Sequence, residues 1–408
     1  MPRALSMLPA LVFLVVLPLN HTNAMRLTAL FTLGLVAAVH TLRQPMPTLP
    51  VKIPLALWGG LALLSAVWSA NPQFSLAEFK TEVVYGMIAF GGFFVLTRDR
   101  STLHAFLAAL LLGVLATLLV SVVQIWQLGT WIGYEWDWQH GFVSYSTYLA
   151  TIFPLLLYGL IHQWNQKWMR PTIALALPLF LFVGYATLNR MLWLTLAISG
   201  LAVLGLSWRK PHSRRQGRIM AISAAAGLGI IGLIFVTVTT QRVVDPLQPH
   251  IQPTTALSHF GETFAHSERF QIWQYWVGHI QEKPWTGVGF GRDLPHMVYE
   301  KPKEWFGLMF AHAHNLFLNY ALQLGIPGVL ALTFLFAALG RQFWLIARSP
   351  DNNLALVGAA GIGVLAAVVS KNMTDDLFWR TDALLFWALM GMLLGYGTRN
   401  RSAFPEAV

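Results

Sequence analysis

"TLHAFLAALLLGVLATLLVSVVQIW", residues 102–126, decides the fold, because it holds no Asp, Glu, Lys or Arg. Crossing the roughly 30 Å hydrocarbon core of a bilayer takes about 20 such residues in a helix. The same pattern recurs along the chain. Of 408 residues, 56% are hydrophobic and 11% charged, and the apolar residues fall into blocks of near-spanning length. The blocks predict helices at 5–19, 27–42, 53–68, 82–97, 102–126, 143–162, 171–187, 191–208, 219–240, 326–347, 354–371 and 381–397. This is the pattern of an all-α polytopic membrane protein with twelve transmembrane helices.

Composition removes several chemistries. Cysteine is absent, so there is no disulfide, thiolate nucleophile or Cys-ligated metal. Arg3, the apolar run after it and the small residues near Asn23-Ala24 imitate a secretory signal peptide. We read that run as a retained first span, because the remaining topology works better with it. With the N-terminus inside, the inner segments hold sixteen of the 27 Lys and Arg residues and the short outer loops five, namely Arg26, Lys80, Arg190, Lys371 and Arg380. Both termini are therefore expected in the cytoplasm. The net charge of +10 marks orientation. It forms no basic stripe with interleaved aromatics, so no nucleic-acid partner is expected.

One polar interval, 241–325, separates nine predicted spans (1–240) from the last three and a cytoplasmic tail (326–408). It carries seven acidic residues and seven of the thirteen histidines, and topology puts it outside the cytoplasm. A segment this long suits a functional loop or cap with short helices of its own. Within it, "SERFQIWQYWVGHIQEKPWTGVGFGRD" reads as a helix from about Ser267 to Glu282, broken by Pro284 and a turn containing Gly287, Gly289 and Gly291. "FAHAHNLFLNYALQLGIPG" follows, and its second helix is expected from His314 to Leu324, with Asn315, Asn319 and Gln323 at spacings of four. Such a narrow polar strip suits a segment at the membrane surface or under a cap.

The candidate residues each have a bland alternative. Arg190 lies between two apolar runs with no acid beside it; an ionisable group there is a functional candidate, or it is a snorkelling anchor. Arg269 sits in the first turn of the loop helix, where the macrodipole disfavours a cation; it either pairs with Glu262 or Glu268 or joins Arg190 and Lys80 in a clamp for phosphate oxygens. His314 at a helix start is favoured as neutral imidazole, able to take a proton near pH 7, or it is a polar cap. His312 has the same options in a weaker position. His312, His314, Asp375 and Asp376 also have the donor types for a metal, although adjacent aspartates equally make a polar loop paired with Lys371 and Arg380. No G-x-S-x-G elbow is present for a serine nucleophile.

Four stretches, in order, resemble the O-antigen ligase and O-antigen polymerase superfamily of bacterial inner-membrane glycosyltransferases. "VWSANPQFSLAEFK" is similar to the family's early loop, whose lysine is Lys80 here. "ATLNRMLWL" is similar to its Thr-x-Ser-Arg turn, carried by Arg190, with Asn189 in place of the serine. "ERFQIWQYWVGHIQEKPWTGVGFG" matches its Arg-x-x-x-Trp helix followed by Pro and Gly-x-Gly, with Arg269 as the arginine. "HAHNLFLNYALQLGIPG" resembles its His-Asn-x-x-Leu helix, with His314 as the histidine and Asn315 beside it.

The resemblance implies a GT-C-like membrane fold with a large helical periplasmic loop. It implies transfer of a polysaccharide from undecaprenyl diphosphate to a sugar hydroxyl of lipid A-core at the periplasmic face of the inner membrane. It further implies an inverting displacement with no cofactor and no metal. Arg190, Arg269 and Lys80 would bind the diphosphate, His312 and Asn315 would line the substrate site, and His314 would be the base. A polymerase or a protein O-oligosaccharyltransferase would use the same donor with another acceptor. A lipid-linked glycan transporter would instead need ionisable residues deep in its spans, and these are nearly absent. The sequence sets no oligomeric state and is compatible with a monomer.

Overall fold

The computed structural model describes residues 3–44, 48–128, 141–163, 169–187, 189–207, 227, 229, 232–234, 237, 268–300 and 312–401. Among these residues there are helices and turns and no strand. Caps that the sequence supplies start several helices. Asn71 Oδ1 accepts from the Phe74 amide ahead of Pro72–Glu78 (α4), and Asp99 Oδ1 accepts from the Thr102 amide at the start of Arg100–Leu128 (α6). Asp351 Oδ1 accepts from the Asn353 amide at the start of Asn352–Lys371 (α13). Each side chain satisfies an amide that the first turn leaves without an internal partner.

The other helices are Arg3–Val16 (α1), Asn23–Arg43 (α2), Lys52–Leu64 (α3), Tyr85–Leu96 (α5), Gly141–Gln163 (α7), Met169–Ala186 (α8), Arg190–Ser207 (α9), Glu268–Glu282 (α10), Leu294–Val298 (α11), Leu316–Ala347 (α12) and Arg380–Arg401 (α14). A π-helical turn, Phe79–Val84, joins α4 to α5. Seven segments among the described residues are long and apolar enough to span a bilayer: Asn23–Arg43, Pro72–Leu96, Arg100–Gln127, Ser144–Ile161, Arg190–Ser207, Leu316–Ala347 and Asn352–Lys371. Leu5–Val16, Lys52–Val67 and Leu175–Ala186 are apolar but shorter. Every interval predicted as a span coincides with a helix except 219–240, most of which lies outside the described residues.

Packing makes one bundle of these helices. Between α14 and α5, a Cβ on Gly391 would meet the Phe90 carbonyl oxygen at 2.2 Å and one on Gly395 would meet that of Phe94 at 2.5 Å. Small residues four apart thus let two backbones touch, as membrane helices require. Trp58, Phe90, Phe378, Phe386 and Trp387 interlock below the site, with the two tryptophan rings 5.3 Å apart. Aromatic pairs in such offset and edge geometries add to area burial.

The bundle has two polar ends. At one, Arg399 Nη1 donates to the carbonyls of Phe94 (2.6 Å) and Thr97 (3.3 Å), and Arg98 bonds Gln44. At the other, Arg26 Nη1 donates to Thr381 Oγ1 (2.5 Å) and Ser144 Oγ to Asp382 Oδ2 (2.6 Å). The start of α12, the end of α13 and the start of α14 gather at this second end.

The helix expected from His314 to Leu324 begins two residues later. Asn315 is its cap, and His314 stands outside it with φ +48°. The break expected at Gly325 is present: Gly325 has φ 66° and ψ −167° and separates a half-helix from the span that follows. Its added Cβ would meet the Pro284 carbonyl oxygen at 2.6 Å, so only glycine fits both the backbone and the neighbour.

Candidate active site

The glycine turn after α10 is an extended tie between two loops. The Val288 and Gly289 amides donate to the carbonyls of Leu322 and Gln323 (2.9 Å each), and the Gly291 amide donates to Gln323 Oε1 (2.9 Å). On its other edge, the Ala70 amide donates to the Val288 carbonyl (2.9 Å) and the Phe290 amide to Ser65 Oγ (3.0 Å). Gln323, on the polar strip of the half-helix, is therefore a backbone anchor. The tie ends at Arg292, aimed across the bundle end.

The histidine loop is fixed from below. Asn315 Oδ1 caps α12 through the amides of Phe317 (3.0 Å) and Leu318 (3.1 Å), while its Nδ2 donates to the Met373 carbonyl (2.9 Å). The Leu316 amide donates to the Asn372 carbonyl (2.9 Å). Residues 312–316 and 371–376 consequently form one unit.

Charges concentrate on that unit. Lys371 has no exposed side-chain surface and pairs with Asp375, which also takes Arg269 Nη2 at 3.3 Å. The Arg269 side chain keeps 43% of its surface exposed, so this cation faces both the loop and the outside. Asp376 accepts from Asn319 Nδ2, and its backbone carbonyl accepts from Arg292 Nε at 2.7 Å. Arg292 Nη2 lies 2.5 Å from His312 Nε2. The rings of His312 and His314 are 4.1 Å apart, with His312 buried and His314 half-buried. Burial, then Arg292, His314 and Arg269, holds His312 well below the ordinary imidazole value. Burial also pushes the Asp376 carboxyl up to about 6, against the opposing pull of Arg292 and Asn319.

Arg269, His312, His314 and Asn315 are thus brought together. Arg190 starts α9, is exposed, and reaches the same level by helix register. Antiparallel α9 and α13 meet through Ser370 Oγ and Thr195 Oγ1 at 3.4 Å and through Gly363 and Val203. Continuing that pairing sets Arg190 level with the residues just past Lys371. Lys80 is exposed on the π-helical turn, while Glu78 and Glu82 on either side of it in sequence are buried. Those two carboxylates take Arg380 instead, by its side chain (3.3 Å) and its amide (2.9 Å). Trp379 stacks with the guanidinium groups of both Arg292 (4.7 Å) and Arg380 (4.4 Å) and donates to Glu78 Oε2 (3.2 Å).

Asp375 and Asp376 are engaged by cations and amides, and no group of three His, Cys, Asp or Glu converges among the described residues. The arrangement suits a different task, in which exposed guanidinium groups face an anionic group next to a half-buried imidazole. Residues 131–140, 241–267 and 301–311 lie outside the described residues.

A family model described as O-antigen ligase matches residues 175–333. The chain is also 25% identical over 328 residues to the O-antigen ligase of Salmonella typhimurium, covering 76% of each sequence. The family model thus matches part of the chain, residues 175–333. The matched region contains Arg190, Arg269, Arg292 and the histidine loop, while Lys80 lies outside it, as does the 371–380 loop that completes the cluster by packing.

Sequence reading missed Arg292, Trp379 and the buried pair Glu78 and Glu82, and it offered Arg380 to the adjacent aspartates where the structure gives it Glu78 and Glu82. Arg292 finds its partners 20 and 84 positions away, beyond any local pattern. The only visible signal was its place after the last glycine of a tight turn.

Asp376 and His312 give a signed pH effect. A raised carboxyl binds a proton more tightly when folded, so its stabilisation is complete below about 3.8 and is lost as pH rises through about 6. A depressed imidazole acts the other way, adding stability as pH rises toward 6.5. Asp376→Asn removes only the first contribution. The thermal midpoint of this variant relative to wild type should therefore climb from pH 4 to 6 and then level, spanning up to about 3 kcal/mol. A flat difference in detergent-solubilised protein would refute the assignment.

Proposed function

We propose that this protein is an O-antigen ligase, joining a polysaccharide carried on undecaprenyl diphosphate to a sugar hydroxyl of lipid A-core. The observation that carries the reading is the meeting of an exposed Arg269 and a half-buried His314 at one end of the bundle, inside a domain matched as O-antigen ligase. The printed name of the Salmonella relative points to the same activity.

Breaking the bond to the anomeric carbon leaves a lipid diphosphate, whose negative charge grows in the transition state. Arg269 and Arg190 stabilise that charge as fixed guanidinium donors, with Lys80 at the approach. His314 takes the proton from the acceptor hydroxyl, and Asn315 holds the loop that carries it. The hydroxyl attacks the face opposite the departing diphosphate, so one displacement inverts the centre. The cations do the electrophilic work, and the reaction is metal-independent.

In this reading the chain has twelve spans in the bacterial inner membrane. The Arg98 and Arg399 end lies in the cytoplasm, and the histidine end lies in the periplasm. The orientation follows the basic loops, and the scarcity of charge inside the spans favours an enzyme over a transporter.

Purified protein given defined polysaccharide donor and lipid A-core should transfer polysaccharide with undiminished rate in excess EDTA. Loss on chelation with recovery on adding a divalent cation would overturn metal independence. Lengthening of the donor with the acceptor untouched would make the protein a polymerase.

A further inference from the structure

We propose that Arg292 is a positioning residue that makes the histidine pair unequal, directing the proton of the reaction to His314 by denying it to His312. The proposal rests on the reading of His314 as the base. Arg292 holds three segments at once. Its Nε donates to the Asp376 carbonyl (2.7 Å), its Nη2 reaches His312 Nε2 (2.5 Å) and its face stacks on Trp379 (4.7 Å), with 13% of the side chain exposed.

The chemistry of His312 makes that contact decisive. Its Nε2 faces the Arg292 guanidinium, and its Nδ1 faces the His314 backbone amide at 3.1 Å. Both neighbours are donors. A neutral imidazole has one accepting nitrogen and an imidazolium has none. Protonating His312 would therefore set two donors against two donors next to a guanidinium that never gives up its charge. The His314 amide donates to Nδ1 and the guanidinium faces Nε2, so a second proton on the ring would displace both donors, the charged one included.

The charged and titratable groups around His312 come from each packed element. They are Arg292 after the glycine turn, His314 on the same loop, and Arg269 on α10. Asp375 and Asp376 are drawn off by Lys371, Arg269, Asn319 and Arg292. Asp293 lies against Arg292 at 3.6 Å, and among the described residues no carboxylate is paired with His312. His314, half-buried at 4.1 Å from this neutral ring, takes the proton instead. Arg292 touches neither the transferred group nor the proton; it acts through His312.

The test reads histidine protonation and transfer separately. Carbethoxylation of His312 and His314 is followed by peptide mass spectrometry from pH 5 to 8 in the full-length protein. In wild type His312 should stay unmodified without a titration step. In Arg292→Gln its rate should gain a midpoint near the ordinary imidazole value of about 6.5. In the transfer assay, Arg292→Gln should lose about fourfold more rate at pH 6 than at pH 8, as a midpoint of about 6.5 dictates. Adding His312→Gln to it should erase that acid limb, and Arg292→Lys should show a smaller one. An unchanged His312 profile in Arg292→Gln, or an acid limb that survives His312→Gln, overturns the proposal. If Arg292→Gln fails to fold, His312→Gln alone decides: it must cost less than a tenth of what His314→Asn costs. Failure of wild type to transfer would sink the reaction assignment while carbethoxylation still judges Arg292.

Discussion

Replacing His314 with asparagine is expected to lower polysaccharide transfer by about 10²–10⁴-fold, the usual contribution of a positioned general base, while the protein inserts and folds. Asparagine is the informative choice. His314 has φ +48°, a left-handed conformation that asparagine tolerates better than alanine, so backbone strain is kept out of the comparison. The ring is half-buried and next to the cap Asn315, which keeps the half-helix anchored when the imidazole is gone. The readouts are banded lipopolysaccharide in cells lacking their own ligase and initial rates with defined donor and acceptor. A variant transferring at wild-type rate would remove His314 from the mechanism. Arg269→Ala offers the complementary loss, because transition-state charge would have one fewer fixed donor.

Asp375→Asn should be the most destabilising single change at the site, by about 3–5 kcal/mol. Lys371 is fully buried and its ammonium pairs with Asp375, which also holds Arg269. Neutralising the carboxylate leaves a buried charge without its counter-ion and loosens the 371–376 loop on which Asn315 and Leu316 rest. The thermal midpoint in detergent should fall, and Lys371→Met introduced into Asp375→Asn should recover part of the loss by removing the orphaned charge. An Asp375→Asn midpoint equal to that of wild type would show that the pair contributes nothing. This change also separates architecture from chemistry. It should reduce transfer through loss of folded protein and of Arg269 alignment, with the remaining rate depending on pH as in wild type.

Much of the site was legible residue by residue. Arg269, His314 and Asn315 stood out because each breaks its local pattern: a cation in a helix's first turn, and a histidine and asparagine at the edge of an apolar run. Asn315 carried a further local signal, since capping is decided within three residues, and the half-helix starts from it. Reading His314 as the first helical residue was off by two positions. The cap side chain outcompeted the apolar pattern for the boundary. Lys80 was legible only as a motif member, and its side chain is exposed on the π-helical turn.

By itself, the sequence determined a helical multi-pass membrane chain, the intervals of the apolar helices among the described residues and the break at Gly325. These depend on hydrophobic block length and on backbone conformations that few residues allow, and both are local properties. Tertiary structure alone decided which charges meet. Asp375 was indistinguishable from Asp376 in the sequence, yet one neutralises a buried lysine and the other braces Arg292. Arg292 looked like the end of a turn until folding brought His312 and Trp379 to it. Electrostatics depends on separation in space and on burial, and neither is written in the order of residues.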